Sequence, residues 1–283
     1  MSLEITLAVL LAALLHASWN AMIKGGSDVL LDTATIVAGA GLIAVPLLFV
    51  VPVPRPESWP YIFGSILTHL AYYFLMVNAY RSGELSLVYP LMRGVAPLIT
   101  AVIGIVWLRE LPGPMSWLGM LMISIGVIAL ALRRTDNAPV LAGHGRAVSF
   151  ALGNAAVIAV YTIIDGTGAR LAGNAWAYIV WLFVLDAIPF SIYMLITRRR
   201  TFVAALIDRR WHGLIGGTLS AGAYAISVWA MTKAPVALVA SLRETSVLFA
   251  TLIGARLLKE KLTLQRWAGV GAVVVGVVAL KAA

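Results

Sequence analysis

Arg93 and Arg243 are guanidinium groups set inside long apolar runs. At the centre of a membrane span an ionisable side chain costs about 2.5 to 3.5 kcal/mol on insertion scales, so each one needs a reason. Arginine offers two. Its planar fork matches a carboxylate and would hold the acid group of a substrate. Alternatively, a protein carboxylate or a set of helix-end carbonyls satisfies it, and the arginine then stitches segments together. Glu244 follows Arg243 directly, and adjacent residues of a helix do not face each other, so its carboxylate is expected to point at another helix. There it would bind a substrate ammonium group, carry a coupled proton, or pair with a basic partner. Asp165 and Asp186 are the other acids in or near apolar runs, and Asp165 joins Glu244 as a coupling candidate, with the proton as coupling ion.

Aromatic and polar residues at helical spacing mark inward faces. His69, Tyr73, Met76 and Tyr80 fall at i, i+4, i+7 and i+11 on one stripe, as do Asn154, Ile158, Tyr161 and Asp165. His16 and Trp19 share a face with Ala12 and Ile23, and Tyr224, Ser227 and Met231 recur further on. Together they describe either an aromatic-lined cavity suited to a ring or a flat cation, or ordinary interhelical packing. The substrate-binding candidates are therefore His16, Trp19, His69, Tyr73, Tyr80, Arg93, Tyr161, Tyr224, Arg243 and Glu244. Pro90 and Pro97 flank Arg93, and each removes a backbone donor and tends to kink a helix, which makes them hinge candidates.

Other chemistry is missing. There is no cysteine, hence no thiolate metal site or cysteine nucleophile. No phosphate loop, HExxH or GxSxG occurs, and the four histidines show no metal-ligand spacing. An enzyme is not expected, and no cofactor or metal is implied.

The elements that must position these residues follow from composition. Of 283 residues, 61% are apolar and 12% charged, against about 25% charged in a soluble domain. Ten apolar runs approach the roughly 20 residues of a membrane helix: 5 to 23, 31 to 52, 59 to 80, 85 to 107, 115 to 132, 147 to 165, 174 to 196, 211 to 231, 235 to 257 and 265 to 281. They lack the period-two alternation of barrel strands. The fold expected is an all-α polytopic membrane protein with ten transmembrane helices. The first run follows Glu4 instead of a basic segment and reads as a retained helix. Trp59, Trp107, Trp117, Trp176, Trp211 and Trp267 fall near run ends, where indole rings prefer the headgroup level.

The net charge of +9 lies in clusters between apolar runs, which suits the lipid bilayer and excludes a nucleic-acid partner. The loops after helices 1, 3, 5, 7 and 9 carry fourteen Lys and Arg, and the other face carries five. By the positive-inside rule the first face is cytoplasmic and both termini lie outside.

Sliding the chain on itself by 150 positions aligns Glu84–Leu132 with Ala234–Ala282, matching Arg93 with Arg243, Gly104 with Gly254, Glu110 with Glu260, Trp117 with Trp267, Gly119 with Gly269 and Gly126 with Gly276. Rare residues in one register mark a duplication, with halves at 1–135 and 145–283. Because each half holds five helices, the second crosses the membrane in the opposite sense, and the two form inverted repeats with a site where they meet.

Leu108-Arg109-Glu110-Leu111 and Leu258-Lys259-Glu260-Lys261-Leu262, each closing a helix and followed by Trp and Gly at matched spacing, resemble the paired signature of EamA-type transporters of the drug/metabolite transporter superfamily. The resemblance spans both halves and extends to aromatic amino-acid exporters of the YddG type. It implies a secondary transporter in a bacterial plasma (inner) membrane that takes a small-molecule substrate and exports amino acids, aromatic or other neutral ones, by alternating access. Export of cationic drugs or other metabolites and passive facilitation are the alternatives. Members are described with both termini cytoplasmic, opposite to the charge count, and the count of fourteen to five is followed here. One departure is internal: Glu244 has Gly94 as its repeat partner.

Overall fold

In the computed structural model, residues 1–24, 28–83, 85–131, 145–258 and 263–283 are described. The first half contributes α1 (Leu3–Lys24), α2 (Val29–Ala44), α3 (Trp59–Ser82), α4 (Leu85–Trp107) and α5 (Pro114–Ala131). The second contributes α6 (Gly145–Leu171), α7 (Ala175–Thr197), α8 (Arg199–Asp208), α9 (Arg210–Met231), α10 (Val236–Arg243), α11 (Ser246–Leu258) and α12 (Leu264–Ala282). Among the described residues nine segments are long and apolar enough to cross a membrane, and Pro114–Leu130 is a shorter apolar helix. At 1.5 Å per residue the 18 residues of α5 reach about 27 Å, close to the hydrocarbon thickness. With α10 and α11 together forming one crossing, the protein is the expected all-α polytopic chain of ten transmembrane passages arranged as two inverted five-helix repeats.

Several starts are capped by side chains that occupy orphan helix-end donors. The Asp28 carboxylate accepts from Leu31 N at 3.1 Å at the head of α2. The Asn174 side chain accepts from Trp176 N and Ala177 N at the head of α7. Near helix ends, Trp107, Trp176, Trp211 and Trp267 are exposed on the lipid-facing or interfacial surface.

Two features depart from the run-by-run reading. A ten-residue helix, α8, lies between the seventh and eighth crossings, where Phe202 and Ala205 are buried and Val203, Leu206 and Ile207 are exposed. The ninth run, 235 to 257, is broken at Glu244 and Thr245. There the backbone switches to tighter bonds, Glu244 N to Ser241 O at 3.1 Å and Thr245 N to Leu242 O at 3.1 Å. The Ser241 and Thr245 hydroxyls donate to Ala237 O and Leu242 O, and such local side-chain bonds compete with the α-helical ladder. Its repeat counterpart α4 runs unbroken through Pro90 and Pro97, both buried against neighbouring protein, where irregular backbone is tolerated in a membrane.

The duplicated glycines are where the halves touch. On α5, a Cβ at Gly119 would lie 2.9 Å from Gly276 O, and one at Gly126 would lie 2.8 Å from Gly269 O on α12. Conversely, a Cβ at Gly276 would meet Gly119 O at 2.8 Å, and one at Gly269 would meet Gly126 O at 3.0 Å. Since Gly119 and Gly269 are repeat partners, as are Gly126 and Gly276, the two contacts are images of each other under a pseudo-two-fold axis. Small residues let membrane helices approach backbone to backbone. A second such contact joins α2 and α9, where Gly39 faces the Gly213 carbonyl and a Cβ at Gly217 would meet Ala40 N at 2.5 Å. The pair related to it by the repeat, α7 and α3, meets instead through side chains: Trp59 with Trp181 at 5.3 Å and Tyr73 stacked on Phe190 at 4.7 Å between ring centroids.

Candidate functional site

A cavity of about 160 Å³ opens among the crossings, on the scale of the roughly 150 Å³ that admits a benzene ring. It gathers nine of the residues singled out from the sequence: His16 and Trp19 from α1, His69, Tyr73 and Tyr80 from α3, Arg93 from α4, Tyr161 from α6, Tyr224 from α9 and Arg243 from α10. Glu244 and Asp165 do not line it. Nor do Pro90 and Pro97, which lie in the wall helix. The cavity also takes Tyr72, Tyr89, Asn20, Phe183 and Asp186, which the spacing did not put in the site. Tyr72 was detectable, standing three residues after His69 on the same helical face. Asp186 was visible as an intramembrane acid, but nothing in one sequence says which way α7 turns it.

The cationic end is built from both halves. Arg93 Nε lies 2.7 Å from Glu244 Oε2, with side-chain exposures of 5% and 1%. Glu244, at the break between α10 and α11, thus reaches across to α4. Arg243 Nε is 4.0 Å from Glu244 Oε1, and among the described residues no other carboxylate is within ion-pair reach of it. One carboxylate therefore serves two buried arginines. The geometry is that of close charges without aligned hydrogen bonds, because Arg93 Nε and Nη2, Arg243 Nε and Glu244 Oε2 are buried with no hydrogen-bond partner. Donors of this kind are costly to leave unmet.

Repeat asymmetry explains the shortfall. The position equivalent to Glu244 is Gly94, whose Cβ would meet Ile128 Cγ1 at 2.8 Å and Ser124 O at 3.2 Å. No carboxylate fits there, so Arg243 lacks the partner that Arg93 has.

The acidic end lies on α7, α3 and α6. Asp186 Oδ1 is 3.1 Å from His69 Nδ1; a carboxylate only accepts, so this ring nitrogen carries the proton. His69 Nε2 faces the Tyr224 hydroxyl at 3.5 Å. That hydroxyl donates to Asp165 Oδ2, and Tyr178 donates to Asp165 Oδ1 at 2.8 Å. Asp165 is fully buried and is screened from the cavity by Tyr224. Between the two ends the wall is aromatic: His69 meets Tyr161 edge-on at 4.8 Å and Phe183 meets Tyr224 at 5.8 Å, while His16 and Trp19 pair at 5.1 Å.

On the face bearing the loops after α4, α6 and α9, a charged network ties helix ends together. Glu110 Oε1 pairs with Arg170 Nη2 at 2.7 Å, and Glu110 Oε2 accepts from Val236 N at 2.8 Å. Arg170 Nε and Nη2 donate to Met231 O, and Nη2 also donates to Ala234 O. Glu110 thus acts as the N-terminal cap of α10, whose Pro235 offers no side-chain cap. The matching Lys259-Glu260-Lys261-Leu262 of the second half lies outside the described residues. On the opposite face, Arg198 Nη1 pairs with Asp28 Oδ2 and Arg209 Nη1 with Asp32 Oδ1, both at 2.6 Å.

Two inverted halves closing over a charged, aromatic-walled cavity are the plan of secondary transporters. The chain belongs to the EamA-like transporter family, whose model matches it twice, at residues 3–132 and 145–281. No curated protein sequence matches it. Among solved structures, a protein crystal structure at 16% identity aligns with a TM-score of 0.74 over 98% of this chain and 94% of that one, a likeness of fold.

Proposed function

We propose that the protein is a secondary carrier that exports neutral amino acids, aromatic ones included, across a bacterial plasma membrane by alternating access. The observation that carries this reading is Arg243. It is a buried arginine without a carboxylate of its own, facing an aromatic-lined space about as large as a ring. A substrate carboxylate would supply the missing charge and the aligned acceptors. The α2–α9 and α3–α7 contacts, equivalent by the repeat but unlike in closeness, support two conformations that exchange them. The orientation with basic loops inside follows the charge count, and proton coupling would engage Glu244 or Asp165.

Flux into and out of proteoliposomes tests this. The expected result is saturable counterflow of phenylalanine, tyrosine, tryptophan or another neutral amino acid, with acceleration by a pH gradient if protons are coupled. Flux rising linearly with concentration would make the protein a facilitator. A folded protein that moves cationic drugs but no amino acid would overturn the substrate assignment.

A further inference from the structure

Three carboxylates are buried around the cavity and its ties, and all three are already engaged. Glu244 sits at Arg93. Asp165 accepts from two tyrosine hydroxyls and does not reach the cavity. Asp32 is paired with Arg209. Asp186 differs. It stands at the middle of α7, where an acid in a membrane span calls for a role, and it lines the cavity. Its single protein partner among the described residues is His69, held through Oδ1. Among the described residues its Oδ2 accepts no hydrogen bond and is not one of the buried unmet atoms, so it remains accessible from the cavity, with the side chain 14% exposed.

We infer that Asp186 is the acceptor for the substrate's ammonium group, which makes the site an oriented receptor with Arg243 at the carboxylate end and Asp186 at the amine end. This rests on the amino-acid reading above and adds to it which residue selects the amine. His69 positions the carboxylate by occupying Oδ1 and leaving Oδ2 to the ligand. Tyr161 and Tyr224 meet the His69 ring and Phe183 meets Tyr224, and these rings give a cationic amine π-faces as well as a counter-charge. An acid of this kind discriminates against a substrate lacking the amine, because its Oδ2 would then face the occupied cavity with no cationic partner.

Three probes separate the two ends: phenylalanine, 3-phenylpropionate, which lacks the amine, and phenethylamine, which lacks the carboxylate. Dissociation constants are measured by titration calorimetry on the purified full chain in detergent. For Asp186→Asn the expected loss is roughly ten- to a hundredfold for phenylalanine and phenethylamine, with 3-phenylpropionate unchanged or bound more tightly. Retained binding of that acid shows that the variant is folded. Asp186→Glu should recover part of the amine-dependent affinity. Equal losses for all three probes, or none for the two amines, would overturn the assignment. If the wild-type protein binds none of the three, the amino-acid reading falls and this inference with it.

Discussion

Arg93 and Glu244 are joined at 2.7 Å across the boundary between the two halves, Arg93 from the fourth crossing and Glu244 from the break in the ninth. The pair is buried on both sides, so neither charge is screened by water. It binds the repeats together at the point where they form the cavity. It also uses the one carboxylate that Arg243 would otherwise have.

Removing that carboxylate should be more damaging than its single ion pair suggests, because Glu244→Gln leaves two buried guanidinium groups uncompensated. Breaking a buried pair from one side costs about 3 to 5 kcal/mol. The expected outcome is a large fall in the thermal unfolding midpoint in detergent. The double variant Glu244→Gln with Arg93→Met should be less destabilised than the sum of the two single variants. Additive losses would mean that the two groups do not interact.

Arg243→Lys keeps the charge and removes the fork. If the guanidinium meets a substrate carboxylate with two donors, apparent affinity for the proposed amino-acid substrate should drop about tenfold or more, while the unfolding midpoint stays near that of the wild type. Concentration-dependent counterflow measures the first and a melting curve the second. Unchanged affinity would remove Arg243 from the binding site.

How much of this the sequence shows is clearest at the glycines. The 150-residue register exposes Gly119, Gly126, Gly269 and Gly276 as repeat identities, because duplication preserves rare residues in place. It does not say that they face one another, since the partner of a helix depends on packing between distant segments. The cavity wall was legible to the extent that helical period placed His69, Tyr73 and Tyr80 on one stripe. Asp186 escaped for the opposite reason: α7 is apolar around its circumference, so its pattern carries no direction. The break at Glu244 was hidden as well. Proline is the usual sign of an interrupted helix, yet prolines lie in the unbroken α4, and the interrupted crossing has only the weaker signal of Ser241, Thr245 and Ser246.

The α5–α12 crossing gives a test of the inverted repeat itself. Gly126→Ala places a methyl group against the Gly269 carbonyl, and Gly276→Ala places one against the Gly119 carbonyl. Overpacking of this kind costs about 1 to 3 kcal/mol. Because the two contacts are related by the pseudo-two-fold axis, the variants should lower the unfolding midpoint by similar amounts. A control at Gly271, where nothing lies within 4 Å of an added Cβ, should leave it unchanged or raise it slightly, since alanine favours helix over glycine. An effect at Gly271 as large as at Gly126 would count against the crossing.

Glu110 and Arg170 make the last case, because they tie a loop, two helix ends and the start of α10 on one face of the membrane. The Glu110 carboxylate holds both Arg170 and the first free backbone donor of α10, and Arg170 in turn holds the carbonyls of Met231 and Ala234. Both side chains keep some contact with solvent, at 31% for Arg170 and 17% for Glu110, so the tie is able to open without stranding a charge in the core. The alternating-access cycle proposed above requires this face to open once per cycle, and weakening the tie should favour the conformation in which it is open. Glu110→Gln and Arg170→Gln are each expected to slow exchange transport severalfold. Their double variant should be no slower than the worse single one, because each change already breaks the shared contact. Labelling of a cysteine introduced at Ala234, in a chain that has none of its own, reads the opening directly. Its rate with a water-soluble maleimide should rise in both single variants, and an unaltered rate together with slowed transport would show that the tie acts on something other than this opening.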